Sequence, residues 1–156
     1  MMIAHVSLPA DDPKHVARVL AEIMGGEAMF FPPGGANTWM AWSGDSAVEL
    51  EIVPRGGVMA RGADGGHWLE REGNAPRATD SHVAIGVDRQ PEEILAIAER
   101  EGWPTGRYNR GGFFNLVEVW VEGAYLIEFL GPQDVADYKA SMTPANWKQV
   151  FGVEAV

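Results

Sequence analysis

The sequence predicts an α+β fold in which two tandem βαβββ modules form a cupped sheet with helices on its outer face. The first observation is that strand and helix patterns occur twice in the same order along the chain. The second is that His5 and His82 stand in equivalent opening strands, 77 residues apart. The third is that Glu49 and Glu128, 79 residues apart, each follow a glycine by five residues. Such near-constant offsets indicate an internal repeat.

The first module opens with a strand pattern from Ile3 to Leu8, where residues alternate between two faces. Asp11-Asp12-Pro13 then predicts a helix start, because an acidic cap and a proline suit the first helical positions. Apolar residues recur at helical spacing as far as Gly25-Gly26, which ends the helix. Three further strands, separated by glycine and proline breakers, are predicted at residues 28–31, 38–42 and 47–53.

The second module repeats this order. A strand is predicted from Ser81 to Val87 and a helix from about Pro91 to Glu101, with Pro91 placed 78 residues after Pro13. Strands follow near Tyr108 and at residues 113–122 and 124–130. The two halves are therefore interpreted as copies of one unit.

A single domain is expected, because 156 residues amount to one ordinary domain. Its tail carries a helical pattern at residues 134–142, and Trp147, Val150 and Phe151 are spaced to pack on the body. This tail either covers the cup or supports a dimer. The predicted parts are a first module at 1–54, a loop-rich connector at 55–80, a second module at 81–132 and a helical tail at 133–156.

Charge and composition exclude several classes of partner. The chain has 22 acidic against 12 basic residues and a net charge of −10, whereas phosphate binding needs clustered lysine and arginine. Neither nucleic acid nor an anionic membrane is therefore expected as a partner. The chain has no cysteine, so a metal ion must be held by His, Asp or Glu. With no apolar run of about 18 residues and no signal pattern, a cytoplasmic protein is expected.

Short motifs at the start and end of each module resemble those of a known superfamily. Ile3-Ala-His5-Val-Ser-Leu8 and Ser81-His82-Val-Ala-Ile85 open the modules, and Val48-Glu49-Leu50 and Ile127-Glu128-Phe129 close them. Together they look like the vicinal oxygen chelate superfamily, which includes glyoxalase I, methylmalonyl-CoA epimerase, extradiol dioxygenases, fosfomycin resistance enzymes and bleomycin-binding proteins. The resemblance covers about residues 3–132.

In a module of this kind, one face of the sheet packs on the helix and the other lines the cup, so strand alternation decides which residues see the cup. The helix-facing positions are apolar in all four strands concerned: Ala4, Val6 and Leu8; Val48, Leu50 and Ile52; Val83, Ile85 and Val87; Tyr125, Ile127 and Phe129. The residues left on the cup side are His5, Glu49, His82 and Glu128. Two imidazoles and two carboxylates suit Zn, Ni, Co, Mn or Fe, and the sequence does not choose among them.

One competitor for the metal is left open. Glu51 shares the cup face with Glu49 and is either the ligand or a nearby base, although the glycine-to-glutamate spacing favours Glu49. His15, in the first helical turn, and His67, in the connector, are not counted as ligands.

Five residues are candidates for substrate binding. Arg107 and Arg110 form a basic segment that suits a carboxylate or other anionic group. Tryptophans on strands either line a cavity or pack in the core. The candidates are Glu51, Arg107, Arg110, Trp39 and Trp120.

The resemblance to glyoxalase I and the epimerase implies a metal-dependent lyase or isomerase. Such an enzyme acts on a small oxygen-rich substrate through an enediolate-type intermediate, with Glu128 or Glu49 as the base. The alternatives are a metal-free, bleomycin-resistance-type binding protein and an extradiol dioxygenase, which uses two histidines and one glutamate. A homodimer is expected, and the site lies either within one chain or across the dimer.

Overall fold

The chain divides into two units that have the same strand topology. The structure is a computed structural model, and it describes residues 5–32, 37–62, 65–69 and 82–151. Residues 58–69, Pro144, Trp147 and Phe151 are described without their side chains. Three predictions lie outside this description: the strand start at Ile3–Ala4, the His67 side chain, and the packing of Trp147 and Phe151.

The first unit is a βαβββ module, as predicted. Strand β1 (Val6–Ala10) leads into helix α1 (Pro13–Ile23), followed by β2 (Ala28–Phe30), β3 (Trp39–Trp42) and β4 (Glu49–Pro54). The sheet order is β1-β4-β3-β2, with β1 parallel to β4 and the other pairs antiparallel. Strand β1 runs two residues further than predicted, through Pro9. An edge position in this sheet tolerates proline, because one side of the strand needs no ladder hydrogen bonds.

The predicted loop-rich connector contains a two-stranded hairpin. Strand β5 (Val58–Gly62) pairs antiparallel with β6 (Gly65–Leu69), and the two form a sheet of their own. Sequence patterning missed this hairpin because glycine is depleted in strands, and this segment is rich in it.

The second unit repeats the first. Strand β7 (Val83–Gly86) precedes α2 (Pro91–Arg100), β8 (Thr105–Arg110), β9 (Phe114–Val121) and β10 (Tyr125–Leu130), in the sheet order β7-β10-β9-β8. Strands β7 and β10 are parallel, as β1 and β4 are. Two tail helices follow: α3 (Pro132–Ser141) and α4 (Pro144–Phe151). The predicted α+β class with two βαβββ modules is confirmed.

The two long module helices start where the sequence predicts. The Asp12 carboxylate accepts the backbone N–H of His15 at 3.1 Å, and Pro13 follows as the first helical residue. In the second unit the Glu93 carboxylate accepts the backbone N–H of Gln90 at 2.9 Å in a capping box. Capping satisfies N–H groups that have no partner inside the helix.

Each unit has an apolar layer between its sheet and its helix. Burying a large aliphatic or aromatic side chain contributes roughly 1.5–3 kcal/mol, so this layer is the main source of each unit's stability. The layer fixes which strand face is turned away from the helix and is left for polar residues. Its fully buried members include Leu8, Leu20, Ile23, Leu50 and Ile52 in the first unit, and Ile94, Val117, Ile127 and Phe129 in the second.

A buried arginine ties the β9–β10 turn, which groups with the first unit, to the start of α1. Arg55 is 7% exposed and donates to Asp11 Oδ1 at 2.8 Å and to Glu122 Oε2 at 2.9 Å. Glu122 also accepts the backbone N–H groups of Asp11 and Asp12, at 2.6 and 2.9 Å. Glu122 and Gly123 have positive φ angles of 51° and 68°, as a tight hairpin turn requires. The carboxylate of a turn thus satisfies donors next to a helix N-terminus.

Candidate metal site

The first histidine–glutamate pair joins neighbouring parallel strands. His5 Nε2 lies 4.0 Å from Glu51 Oε2, and the Ser7 hydroxyl donates to the same oxygen at 2.6 Å. The His5 side chain is 54% exposed and that of Glu51 only 18%. A carboxylate so withdrawn from water needs partners, and this one has a hydroxyl donor and an imidazole beside it.

The second pair has the same form. His82 Nε2 lies 3.7 Å from Glu128 Oε2, with the histidine side chain 54% exposed and the glutamate 13%. In both units, an accessible imidazole therefore stands over a largely buried carboxylate. The structure thus brings His82 and Glu128 together in the second unit.

The strand register shows that Glu51 is the counterpart of Glu128. Val6 lies opposite Leu50 and Val83 opposite Ile127, so the two parallel ladders have the same alignment. Each glutamate comes one residue after that partner. In sequence numbers, residue 82 follows residue 5 by 77 positions, and residue 128 follows residue 51 by the same 77. This identical offset is the signal that favours Glu51 over Glu49, and it was readable from the sequence.

Glu49 lies on the same strand face as Glu51, two residues earlier, directly opposite Trp42 of β3. Trp42 and Met29 line an open pocket of about 470 Å³ in the first unit. Gly44 also lines this pocket, and its backbone N–H donates to Met24 O at 3.1 Å. The full lining is Gly25, Gly26, Glu27, Met29, Trp42, Ser43, Gly44 and Ser46. Glu49 thus shares its face with a wall of this pocket.

Arg110 of β8 contacts the second pair directly. Its Nη2 donates to Glu128 Oε1 at 2.5 Å and to Glu118 Oε1 at 2.6 Å. The hydrogen bonds that Arg110 donates to Glu118 and then to Glu128 raise its pKa above the ordinary value, so the guanidinium is firmly charged. Sequence reasoning missed Glu118, although its position between the buried Val117 and Val119 marks it as a residue of the opposite face.

Arg107 lies on the other face of β8. It is opposite Val117, and its guanidinium is 3.3 Å from Asp134 of α3 and 3.5 Å from Glu92 of α2. Asp134 is 1% exposed, whereas the Arg107 side chain is 40% exposed, so the pair joins a buried carboxylate to a partly exposed guanidinium. Of the two arginines predicted to bind substrate, the structure brings only Arg110 to the histidine–glutamate pair.

The two candidate tryptophans also differ in position. Trp39 is opposite Ile52 on the face that packs on α1, and Lys14 Nζ of that helix lies 5.2 Å from its ring centroid. Trp120 alternates onto the same face of β9 as Glu118. Trp42, a strand tryptophan outside the five candidates for substrate binding, lies on the face of Glu49 and Glu51.

The donor chemistry of the two pairs suits a divalent metal ion. Each pair offers one imidazole nitrogen and one carboxylate, the donors that Zn, Ni, Co, Mn and Fe accept. Among the described residues, no three His, Asp or Glu side chains gather closely enough to hold an ion. Each pair alone therefore amounts to half of a ligand set.

Comparison with known proteins extends the fold assignment. No protein-family model and no curated protein sequence matches this chain. Solved structures do match. A trypanothione-dependent glyoxalase I of Leishmania major is 18% identical with a TM-score of 0.57, over 98% of this chain and 99% of that one. The fosfomycin resistance protein FosX of Listeria monocytogenes, complexed with Mn(II) and sulfate, is 13% identical with a TM-score of 0.55, over 88% and 95%.

A third match is an integron cassette protein from the mobile metagenome of a Halifax Harbour sewage outfall. It is 15% identical with a TM-score of 0.53, over 81% of this chain and 95% of that one. These similarities concern the fold. The chain has the vicinal oxygen chelate fold, and the predicted resemblance is confirmed at that level. No helix among the described residues is long and apolar enough to cross a membrane.

Proposed function

We propose that this protein is a metal-dependent enzyme, a glyoxalase-like lyase or isomerase that acts on a small oxygen-rich substrate. Its metal ligands are His5, Glu51, His82 and Glu128. The observation that supports this most directly is the repetition of one histidine–glutamate pair at the same register position in both modules, at 4.0 and 3.7 Å. Glu49, the glutamate favoured by glycine spacing, is the second choice for the first module.

The Glu51 and Glu128 side chains are only 18% and 13% exposed, which supports a role other than contact with water. Placing an ionised carboxylate in a site with little water costs free energy that a bound cation or donor must offset. A divalent ion, when bound, supplies Lewis-acid charge that stabilises negative charge on substrate oxygens. Glu128 has one oxygen, Oε2, directed at His82, while Oε1 accepts from Arg110. We assign proton transfer next to a carbonyl to the Glu128 carboxylate.

The substrate is proposed to be small and to carry adjacent oxygens with a modest apolar group. The pocket wall formed by Trp42 and Met29 shares the face of Glu49 and supports the apolar part of this proposal. Arg110 offers a charge-assisted donor to an anionic part.

Metal analysis is the experiment that tests the proposal. The purified protein is stripped with a chelator and titrated by calorimetry with Zn, Ni, Co, Mn and Fe(II) under matched conditions. Near-stoichiometric binding that is lost in His82→Ala is the expected result. The loaded protein is then assayed with hemithioacetals of dicarbonyls, epimerisable acyl thioesters and catechols. Absence of binding of every ion contradicts the metal-dependent function.

The oligomeric state decides how the two pairs are combined. Sedimentation of the metal-free and metal-loaded protein over a range of concentrations distinguishes one chain from two. A binding stoichiometry of one ion per chain is expected for either arrangement, because each ion uses two pairs and a chain supplies two. We propose a homodimer.

A metal-free small-molecule binding protein is the second candidate. One observation favours it: the Glu128 carboxylate has a cationic partner within the chain, because it accepts a hydrogen bond from the Arg110 guanidinium. This candidate predicts that titration with divalent ions gives no heat of binding. It also predicts that a cationic compound such as bleomycin quenches tryptophan fluorescence at micromolar concentration.

A further inference from the structure

We propose that Arg110 is a built-in competitor of the metal ion for Glu128, and that binding of a divalent ion moves its guanidinium towards Glu118. This inference rests on the proposed function, because it takes His82 and Glu128 as metal ligands. It adds a residue that sets the affinity of the site, and a neighbouring carboxylate that regulates that residue.

The contacts of one nitrogen atom carry the first step. Nη2 of Arg110 donates to Glu118 Oε1 at 2.6 Å and to Glu128 Oε1 at 2.5 Å. A guanidinium Nη carries two hydrogens, so the two carboxylates use both of them. Glu118 and Glu128 thus share the guanidinium of Arg110. A stronger hydrogen bond to one carboxylate weakens the hydrogen bond to the other.

Burial indicates which of the three groups moves. The Arg110 side chain is 37% exposed, whereas Glu118 and Glu128 are 17% and 13% exposed. The carboxylates stand on neighbouring strands whose buried faces are packed, so they are held in place. The longer and more accessible arginine is the group that can yield. Glu118 can retain it there, because Nη2 already donates to Glu118 Oε1 at 2.6 Å.

Electrostatics supplies the reason for the competition. A divalent ion held by the Glu128 carboxylate would lie close to the guanidinium that donates to that carboxylate, and like charges at such a separation repel. The repulsion decreases if the guanidinium moves away from Glu128 and keeps only its hydrogen bond to Glu118. In the first pair, among the described residues, the Ser7 hydroxyl that donates to Glu51 is a neutral group rather than a cation. The two modules therefore offer the same proposed ligand types, but only the carboxylate of the second pair is proposed to have a cation that competes with the metal ion.

Two substitutions with opposite expected effects test the proposal. Arg110→Met removes the competing cation while keeping the aliphatic volume, and the dissociation constant for Mn(II) or Zn(II) should fall by about 10-fold or more. Glu118→Gln leaves the guanidinium to Glu128 alone, and the same constant should rise by about 10-fold. Arg100→Met and Glu99→Gln, on the surface of α2, change the net charge identically and should leave metal affinity unaltered.

A second readout uses the wild-type chain and does not depend on how the variants fold. The side-chain N–H signal of Arg110 is followed by NMR while Zn(II) is added, and a change that saturates with metal occupancy is expected. An unchanged signal, or an Arg110→Met variant that binds metal no more tightly than wild type, overturns the competition. Wild-type protein that binds no metal overturns the proposed function instead, so the two failures are distinguishable.

Discussion

His5 Nε2 lies 4.0 Å from Glu51 Oε2, across the parallel pair of β1 and β4. Strand alternation cannot choose between Glu49 and Glu51, because residues two apart share a face. The strand register favours Glu51, because it gives Glu51 the same place in its ladder that Glu128 has in the second module. The proposed ligand set follows from this relationship.

Glu51→Gln is expected to weaken binding of a divalent ion more than Glu49→Gln does. Metal affinity should fall by at least about 10-fold in Glu51→Gln, because even residues that only orient a metal ligand contribute that much. The fall should be smaller in Glu49→Gln. The two substitutions are chemically identical and two residues apart, so each controls for the other in a calorimetric titration. The reverse order would assign the ligand to Glu49.

Glu128→Gln is expected to lower turnover by about 100- to 10,000-fold, the range for loss of a general base. The amide oxygen can still accept from Arg110, so the melting temperature should stay close to that of wild type. Assay of the loaded enzyme, together with thermal unfolding, separates loss of chemistry from loss of structure. Full activity of the variant would remove Glu128 from the proposed chemistry.

Ser7→Ala is expected to lower metal affinity by about 10-fold, because the 2.6 Å hydrogen bond that orients Glu51 is lost. Ser7→Thr keeps a hydroxyl and suits a strand, so it should restore most of the affinity. Calorimetry on the three proteins makes the comparison. Equal affinity in all three would show that Ser7 does not position the carboxylate.

Arg55→Met is expected to lower the free energy of unfolding by about 2–4 kcal/mol, because it leaves two carboxylates without their shared cation. The side chain is 7% exposed and bonds Asp11 and Glu122 at 2.8 and 2.9 Å. Urea unfolding at neutral pH measures the change. Glu122→Gln should cost less in the Arg55→Met background than in wild type, and strict additivity would deny the coupling.

The pKa of Asp45 is expected below its ordinary value, because its carboxylate accepts from the Ser43 hydroxyl and the Ala47 N–H. A carboxyl whose pKa is lowered by folding stabilises the fold above its unfolded pKa, and this contribution is lost as the pH falls through the folded value. NMR titration should show the Asp45 pKa rising in Ser43→Ala. No rise would mean that the hydroxyl does not hold this turn.

Much of the fold was readable because it depends on local patterns. One proline at the start of each helix and a glycine after its end predicted α1 and α2 to within a residue or two. Strand alternation predicted the order of strands along both modules. The hairpin of β5 and β6 was missed, because glycine is uncommon in strands and the pairing depends on the partner strand rather than on the local sequence. The extension of β1 through Pro9 was missed for a related reason, since only the sheet order shows that it is an edge strand.

The sequence by itself determined the repeat, the fold class and the face of the sheet that carries His5, His82 and Glu128, because alternation and spacing are properties of the chain alone. It treated Arg107 and Arg110 as one basic segment, although residues three apart point to opposite faces of a strand. Only the tertiary structure decided that Arg110 and Glu118 accompany Glu128. The 77-residue offset already related Glu51 to Glu128, and the strand register agrees with it. Strand pairing joins residues that are remote in sequence, and its register is set by packing of the whole sheet rather than by any single segment.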